Sequence, residues 1–261
     1  MATHPVMPGA SWFLTVGFVL FGLAMAVLFV AGVAGAERRL GGPPGRVGRR
    51  AAVAAAGALG WLAGTWALAA SGLLARFDLR PPPFLVLLAV IFGLAVVLAA
   101  SSLGHRLVAG LPLAALVGAQ SFRLPLELLM HRAATEGVMP VQMSYSGRNL
   151  DIVTGATAAV LAVLLGRGLA PRGAVVAWNI AGALLLANIL GIAVVSTPLF
   201  GWFGPDRLNT WVAFPPFVWL PGAMVLMAVL GHLLVWRKLR SGSTVPGVGG
   251  RGSSAPRQSH Y

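Results

Sequence analysis

Apolar blocks about as long as a bilayer's hydrocarbon core is thick recur along this chain, and they constrain it more than any other feature. The first runs from Trp12 to Val33, 22 residues without a charge. A helix needs ~20 such residues to cross ~30 Å of hydrocarbon. Further blocks cover residues 51–74, 84–103, 107–132, 151–167, 173–196 and 217–236. Seven blocks predict an all-α polytopic membrane protein, a bundle of about seven transmembrane helices making one domain over residues 1–240. The fourth block is interrupted by Pro112, and the fifth is short. Composition agrees: the chain is 57% hydrophobic and 10% charged, against about 25% charged in a soluble domain. It has no cysteine, which excludes disulfides, thiolate metal sites and a cysteine nucleophile.

The net charge of +13 raises the question of nucleic acid, and the placement of the charges answers it. With the N-terminus outside, thirteen Arg and Lys side chains fall on the inner side against Glu37 alone. The outer side has Arg76, Arg80, Arg123, Arg132, Arg148 and Arg207 against Asp78, Glu127, Glu136, Asp151 and Asp206. This is the positive-inside pattern. It predicts an N-out, C-in topology, anionic lipid headgroups as partners on the cytoplasmic side, and no nucleic acid. Glu37-Arg38-Arg39 follows the first block and no basic residue precedes it. A cleaved signal peptide has the reverse order, so the block is read as a retained span.

Trp12, Trp202, Trp211 and Trp219 fall near proposed outer boundaries, and Trp178 and Trp236 near inner ones, where indole rings favour the headgroup level. Trp61 and Trp66 lie inside the second block and require packing partners. Gly60 and Gly64 form a small-xxx-small pair, a pattern that permits close helix contact and a homo-oligomer. Residues 241–261, rich in Ser, Gly, Pro and Arg, have the composition of a disordered basic tail. No internal repeat is evident.

Residues 120–154 concentrate the polar chemistry. Gln120, Arg123, Glu127 and His131 follow helical spacings that place them on one face, opposite Phe122, Leu126, Leu129 and Met130. The loop that follows contains Gln142, Tyr145, Arg148, Asn149 and Asp151, and Asn149 or Asp151 is suited to cap the fifth helix. Two readings stand side by side. One is structural: an Arg123–Glu127 ion pair, an Arg148–Asp151 anchor and an interfacial His131. The other is a ligand site facing the outer leaflet. In that site Glu127 or Asp151 accepts a proton, His131 shuttles it, and Arg123 or Arg148 clamps an anion. Asn179 and Asn188 are half a turn out of phase and are read as separate interhelical hydrogen bonds. The stretch Pro198–Pro216 is a candidate lid over residues 120–154.

Cofactor chemistry is sparsely supported. Glu127, His131 and Asp151 offer at most three metal ligands and match no metal motif, so no metal is expected. A retinal Schiff base needs a membrane lysine, and the single lysine, Lys238, follows the last span. A haem axial pair would have to come from His105 and His232, each read as interfacial. No cofactor is predicted.

The segment from Phe122 through His131, with Glu136-Gly137, Pro140 to Met143 and Gly147 to Asp151, resembles a group of uncharacterised bacterial multi-span membrane proteins. The resemblance covers about 30 residues and implies a bacterial cytoplasmic (inner) membrane location, and it brings no catalytic residue. Three functions are compatible with the chain: small-solute or ligand binding and transport, a membrane enzyme acting on a lipid or lipid-linked substrate, and an accessory subunit of a membrane complex. The apolar inner halves of the spans argue against a conventional permease, and no nucleophile–base pair is recognisable.

Overall fold

The computed structural model describes residues 5–242, so the predicted disordered tail lies, apart from Ser241 and Gly242, outside the described residues. Within them every regular element is helical. In hydrocarbon, backbone amides have no water to turn to, and a helix satisfies them internally. Six helical passes are long and apolar enough to cross a membrane. The chain is a helical protein of multi-pass membrane type.

Local chemistry sets the ends of these helices. Helix α1 (Trp12–Arg39) is capped by Ser11, whose Oγ accepts from the Leu14 amide at 3.2 Å, and it ends on Arg38 and Arg39, where the helix dipole favours cations. A turn through Gly41 (φ +72°) leads to α2 (Pro44–Ala70), and α3 spans Pro83–Ala100. Both begin with proline at the first turn, where the missing amide costs nothing.

The fourth block divides differently from the 107–132 span expected. Ser101 adopts extended backbone, and its Oγ caps a separate helix α4 (Ser102–Gly110). Proline at 112 cannot continue that helix. The chain restarts as α5 (Leu113–Gly118) and passes through a 3-10 turn (Ala119–Phe122) into α6 (Arg123–Thr135), a pass running from Leu113 to Thr135. A Cβ at Gly110 would overlap the Ala36 backbone, so α4 lies tightly across α1. Helix α7 (Ile152–Gly166) has only 15 residues. Helix α8 spans Arg172–Val195. A π-helical turn (Leu220–Val225) containing Pro221 leads into α9 (Leu226–Arg240).

The upper end of the bundle holds Ser11 and Glu136, hydrogen-bonded to each other. The lower end holds Glu37 with Arg106, and Arg172 bonded to the Leu239 carbonyl. The last pass is the hub: it is 67% buried, against 22% for α1 and 17% for α2. Helices α1, α2 and α3 present Leu20, Val27, Val53, Val90 and Val97 outward, as lipid-facing surfaces do.

Several tryptophans expected at membrane boundaries pack inside instead. Trp211 and Trp219 are buried, Trp211 against Phe18 and Phe217. Trp178 is buried too and donates from Nε1 to Thr157 Oγ1 at 3.1 Å. Trp12 and Trp202 are exposed. The packing partners of Trp61 and Trp66 come from the last pass and the residue just before it: Trp61 Nε1 donates to the Gly222 carbonyl at 2.6 Å, and Trp66 packs on Trp219.

Candidate functional site

The polar centre forms where α7 crosses α6. A Cβ at Gly155 would fall on the backbone of Arg123 and Leu124, so only glycine lets the two helices approach this closely. The contact brings Asp151, at the start of α7, against Arg123. Both residues are buried, and the guanidinium forks onto the carboxylate, with Nε 2.6 Å from Oδ2 and Nη2 on Oδ1. Arg123 also approaches His232 of α9, with Nη1 2.7 Å from Nε2. A guanidinium only donates, so His232 Nε2 accepts and the ring proton sits on Nδ1. That nitrogen faces Asn179 Oδ1 at 2.9 Å, and Asn179 Nδ2 donates to the His232 carbonyl at 3.3 Å. Gly182 leaves room for the ring.

Glu127 lies one helical turn beyond Arg123, buried, and takes its hydrogen bonds elsewhere. Asn149 Nδ2 lies 2.8 Å from each of its carboxylate oxygens. Asn149 Oδ1 accepts the Asp151 amide at 3.0 Å, and its Nδ2 also reaches the Met143 carbonyl. One asparagine therefore ties the Glu127 carboxylate to the backbone of Asp151. Arg123, Glu127 and Asp151 line a cavity of about 70 Å³ whose other walls are mainly apolar, with Asn209 as a further polar group. With His232 held neutral, the site carries two carboxylates and one guanidinium. A buried charge without a partner costs several kcal/mol.

Depth follows from the helix rise of 1.5 Å per residue. Arg123 is twelve residues, roughly 18 Å, from the upper end of α6 at Thr135, and His232 is eight residues, roughly 12 Å, from Arg240. The centre therefore lies inside the bundle and not at its upper mouth. The connection from Glu136 to Asp151 follows it inward: Gln142, Ser144 and Asn149 on that connection are buried. This explains why α7 is short, since it starts at the depth of Arg123.

The two pairings expected from sequence spacing are replaced. Arg123 bonds Asp151 in place of Glu127. Arg148 is exposed and lies over the Phe203 ring at 5.4 Å, far from an anchor on Asp151. Asp151 occupies the N-cap position of α7 without a side-chain cap bond, because its carboxylate is taken by Arg123. The apolar side expected opposite the polar stripe is buried as well, at Phe122, Leu126 and Met130, and Pro125 and Leu128 are the exposed positions between them.

The other expected site residues lie around the centre. Gln120 is buried, donates to the Met227 carbonyl at 3.3 Å, and has an unpartnered Oε1. His131 turns away, bonding Ser144 Oγ at 3.0 Å and stacking on Tyr145 at 4.4 Å. Gln142 donates to Ser196 Oγ and to the Arg207 carbonyl, which ties the 198–216 stretch to this region. Asn188 donates to the Arg148 carbonyl, a bond separate from those of Asn179.

His232 is the residue missed at the sequence level, where it reads as interfacial. It is buried and both ring nitrogens are hydrogen-bonded, while His105 is exposed on α4. The only sequence signal is Gly231 beside it: a Cβ there would overlap the Gln120 amide. Among the described residues no group of three or more His, Asp or Glu side chains is arranged for a metal ion. Chemically the centre sets two carboxylates beside one guanidinium, and none of the residues lining its cavity is Ser, Thr or Cys. Comparison with protein-family models, with curated proteins and with solved structures returned no match.

Proposed function

We propose that the chain is a seven-pass protein of the bacterial cytoplasmic membrane, N-out and C-in, that binds a proton or a small monovalent cation at Glu127 as part of small-solute binding or transport. One observation carries this reading: two buried carboxylates share a cavity with a single guanidinium. The surplus negative charge calls for a positive partner, because a lone ion in a low-dielectric interior is expensive. A cavity of about 70 Å³ accommodates a small ion or a few waters, a water's share of liquid volume being ~30 Å³. A short helix that starts at depth beside the site also supports the reading, since broken helices at mid-membrane are a transporter device. The charge map of the loops supports the orientation.

The test uses the full chain in nanodiscs. Infrared titration in water is expected to show a protonated carboxyl band that is missing from Glu127→Gln, or else Na⁺ or methylammonium raises Tm in the wild type and not in the variant. Neither effect in the wild type, with Glu127→Gln melting at or above wild type, overturns the proposal. That outcome favours a second reading, an accessory subunit in which the network is a structural tie. The fully paired Arg123 favours this alternative.

A further inference from the structure

A second cavity lies away from the polar centre. It is a groove of about 600 Å³ between α1, α2, α3 and the last pass, within the ~300–1,000 Å³ range of small-molecule sites. Its walls are apolar, with Phe29, Leu98 and Leu226 opposite the small residues Ala54 and Gly57 of α2. A Cβ at Gly57 would meet nothing within 4 Å, so among the described residues no side chain fills the groove at this position.

The groove is chemically asymmetric. Arg49 and Arg50 lie at its lower end, and Trp61 at its upper end has its indole nitrogen already bonded to the Gly222 carbonyl. From Arg50 to Trp61 is eleven residues, roughly 16 Å along the helix. One leaflet's share of a ~30 Å hydrocarbon core is about 15 Å. Arg46 and Arg106 stand near the same end, where the carboxylate is Glu37, held by Arg106 and, at 3.3 Å, by Arg50. Cations therefore outnumber acids there. Arg50 Nε is buried without a hydrogen-bond partner, and Arg49 is exposed.

We infer that this groove binds one anionic membrane phospholipid, its phosphate on Arg49 and Arg50 and an acyl chain along Gly57 toward Trp61. Charge complementarity selects the headgroup, since guanidinium binds phosphate through paired hydrogen bonds. The match between groove length and leaflet thickness selects a membrane lipid. The site is independent of the centre at Glu127 and does not require its function.

Native mass spectrometry of the full chain from mixed micelles tests this, with phosphatidylglycerol and phosphatidylcholine of identical acyl chains as competing probes. Phosphatidylglycerol is expected to remain bound at one copy, at least tenfold over phosphatidylcholine. It should be lost in Arg49→Gln/Arg50→Gln and in Gly57→Leu. The leucine fills the groove from a position with open space, and it raises helix propensity, so folding is retained even if the arginine variant fails. Equal retention of the two lipids overturns the inference, as does retention in Gly57→Leu. Binding of oleate in place of phosphatidylglycerol, or a dimer that covers position 57 with no lipid bound, also overturns it.

Discussion

Replacing Arg123 with methionine tests the polar centre most severely. The side chain keeps its approximate length and loses the charge that holds Asp151. Two buried carboxylates are then left together, and His232 Nε2 loses its donor. Removing one partner of a buried ion pair costs about 3–5 kcal/mol. For a chain of this size 1 kcal/mol corresponds to roughly 2–4 °C in Tm, so the variant should melt roughly 6–20 °C below wild type. Adding Asp151→Asn to the methionine variant should return a large part of that loss, because the orphaned carboxylate disappears with its partner. The coupling energy across the four proteins should exceed about 1 kcal/mol, within the range found for contacting residues. Reversible unfolding in bicelles, followed by tryptophan fluorescence, measures all four. A methionine variant within about 1 kcal/mol of wild type, or strictly additive changes, would refute the claim that the guanidinium neutralises Asp151.

Three further outcomes are expected. Gly155→Ala should force α7 off the α6 backbone and cost more than about 2 kcal/mol, as overpacking does, whereas Gly60→Ala, into open space, should be neutral or stabilise by up to about 1 kcal/mol through helix propensity; bicelle melts compare the two. The Ser11 backbone amide, then Arg132 and the Ser11 hydroxyl, hold Glu136 below the usual carboxylate range. Its contribution should be present above about pH 4.5 and fade as pH falls through the lower folded value, and Glu136→Gln should flatten that acid limb in Tm against pH. Trp61→Phe removes the indole bond to Gly222 and should cost about 1 kcal/mol, read from the same melts; no change in Tm would show the bond to be idle.

The helical architecture was legible because hydrocarbon imposes a length and an apolar composition on each crossing segment, both visible in one dimension. Helix α7 is the exception, since its depth depends on a buried connection whose Gln142, Ser144 and Asn149 look like ordinary loop residues. In the site, Arg123, Glu127, Asn149 and Asp151 were visible as polar groups in an apolar setting. Their partners were not. Helical spacing pointed Arg123 at Glu127, four residues away, and the fork to Asp151 depends on Gly155 bringing two helices together. His232 lies 109 residues from Arg123 along the chain, a separation no local pattern reports. Trp211 and Trp219 were misplaced for the same reason: aromatic character alone does not tell a boundary from an interior, and the segment before the last pass folds inward.

Trp61 of α2 and Trp219, the residue just before the last pass, form a reciprocal clasp. Trp61 donates to Gly222, and Trp219 donates back to the Leu62 carbonyl at 3.0 Å. The partners are separated by 161 and 157 residues, and synthesis delivers the N-terminal helices first. These two bonds therefore form only after the segment around residues 219–222 has been synthesised. A chain truncated before residue 219 lacks both bonds, so the α2 face that carries Trp61 is without its partner from the last pass.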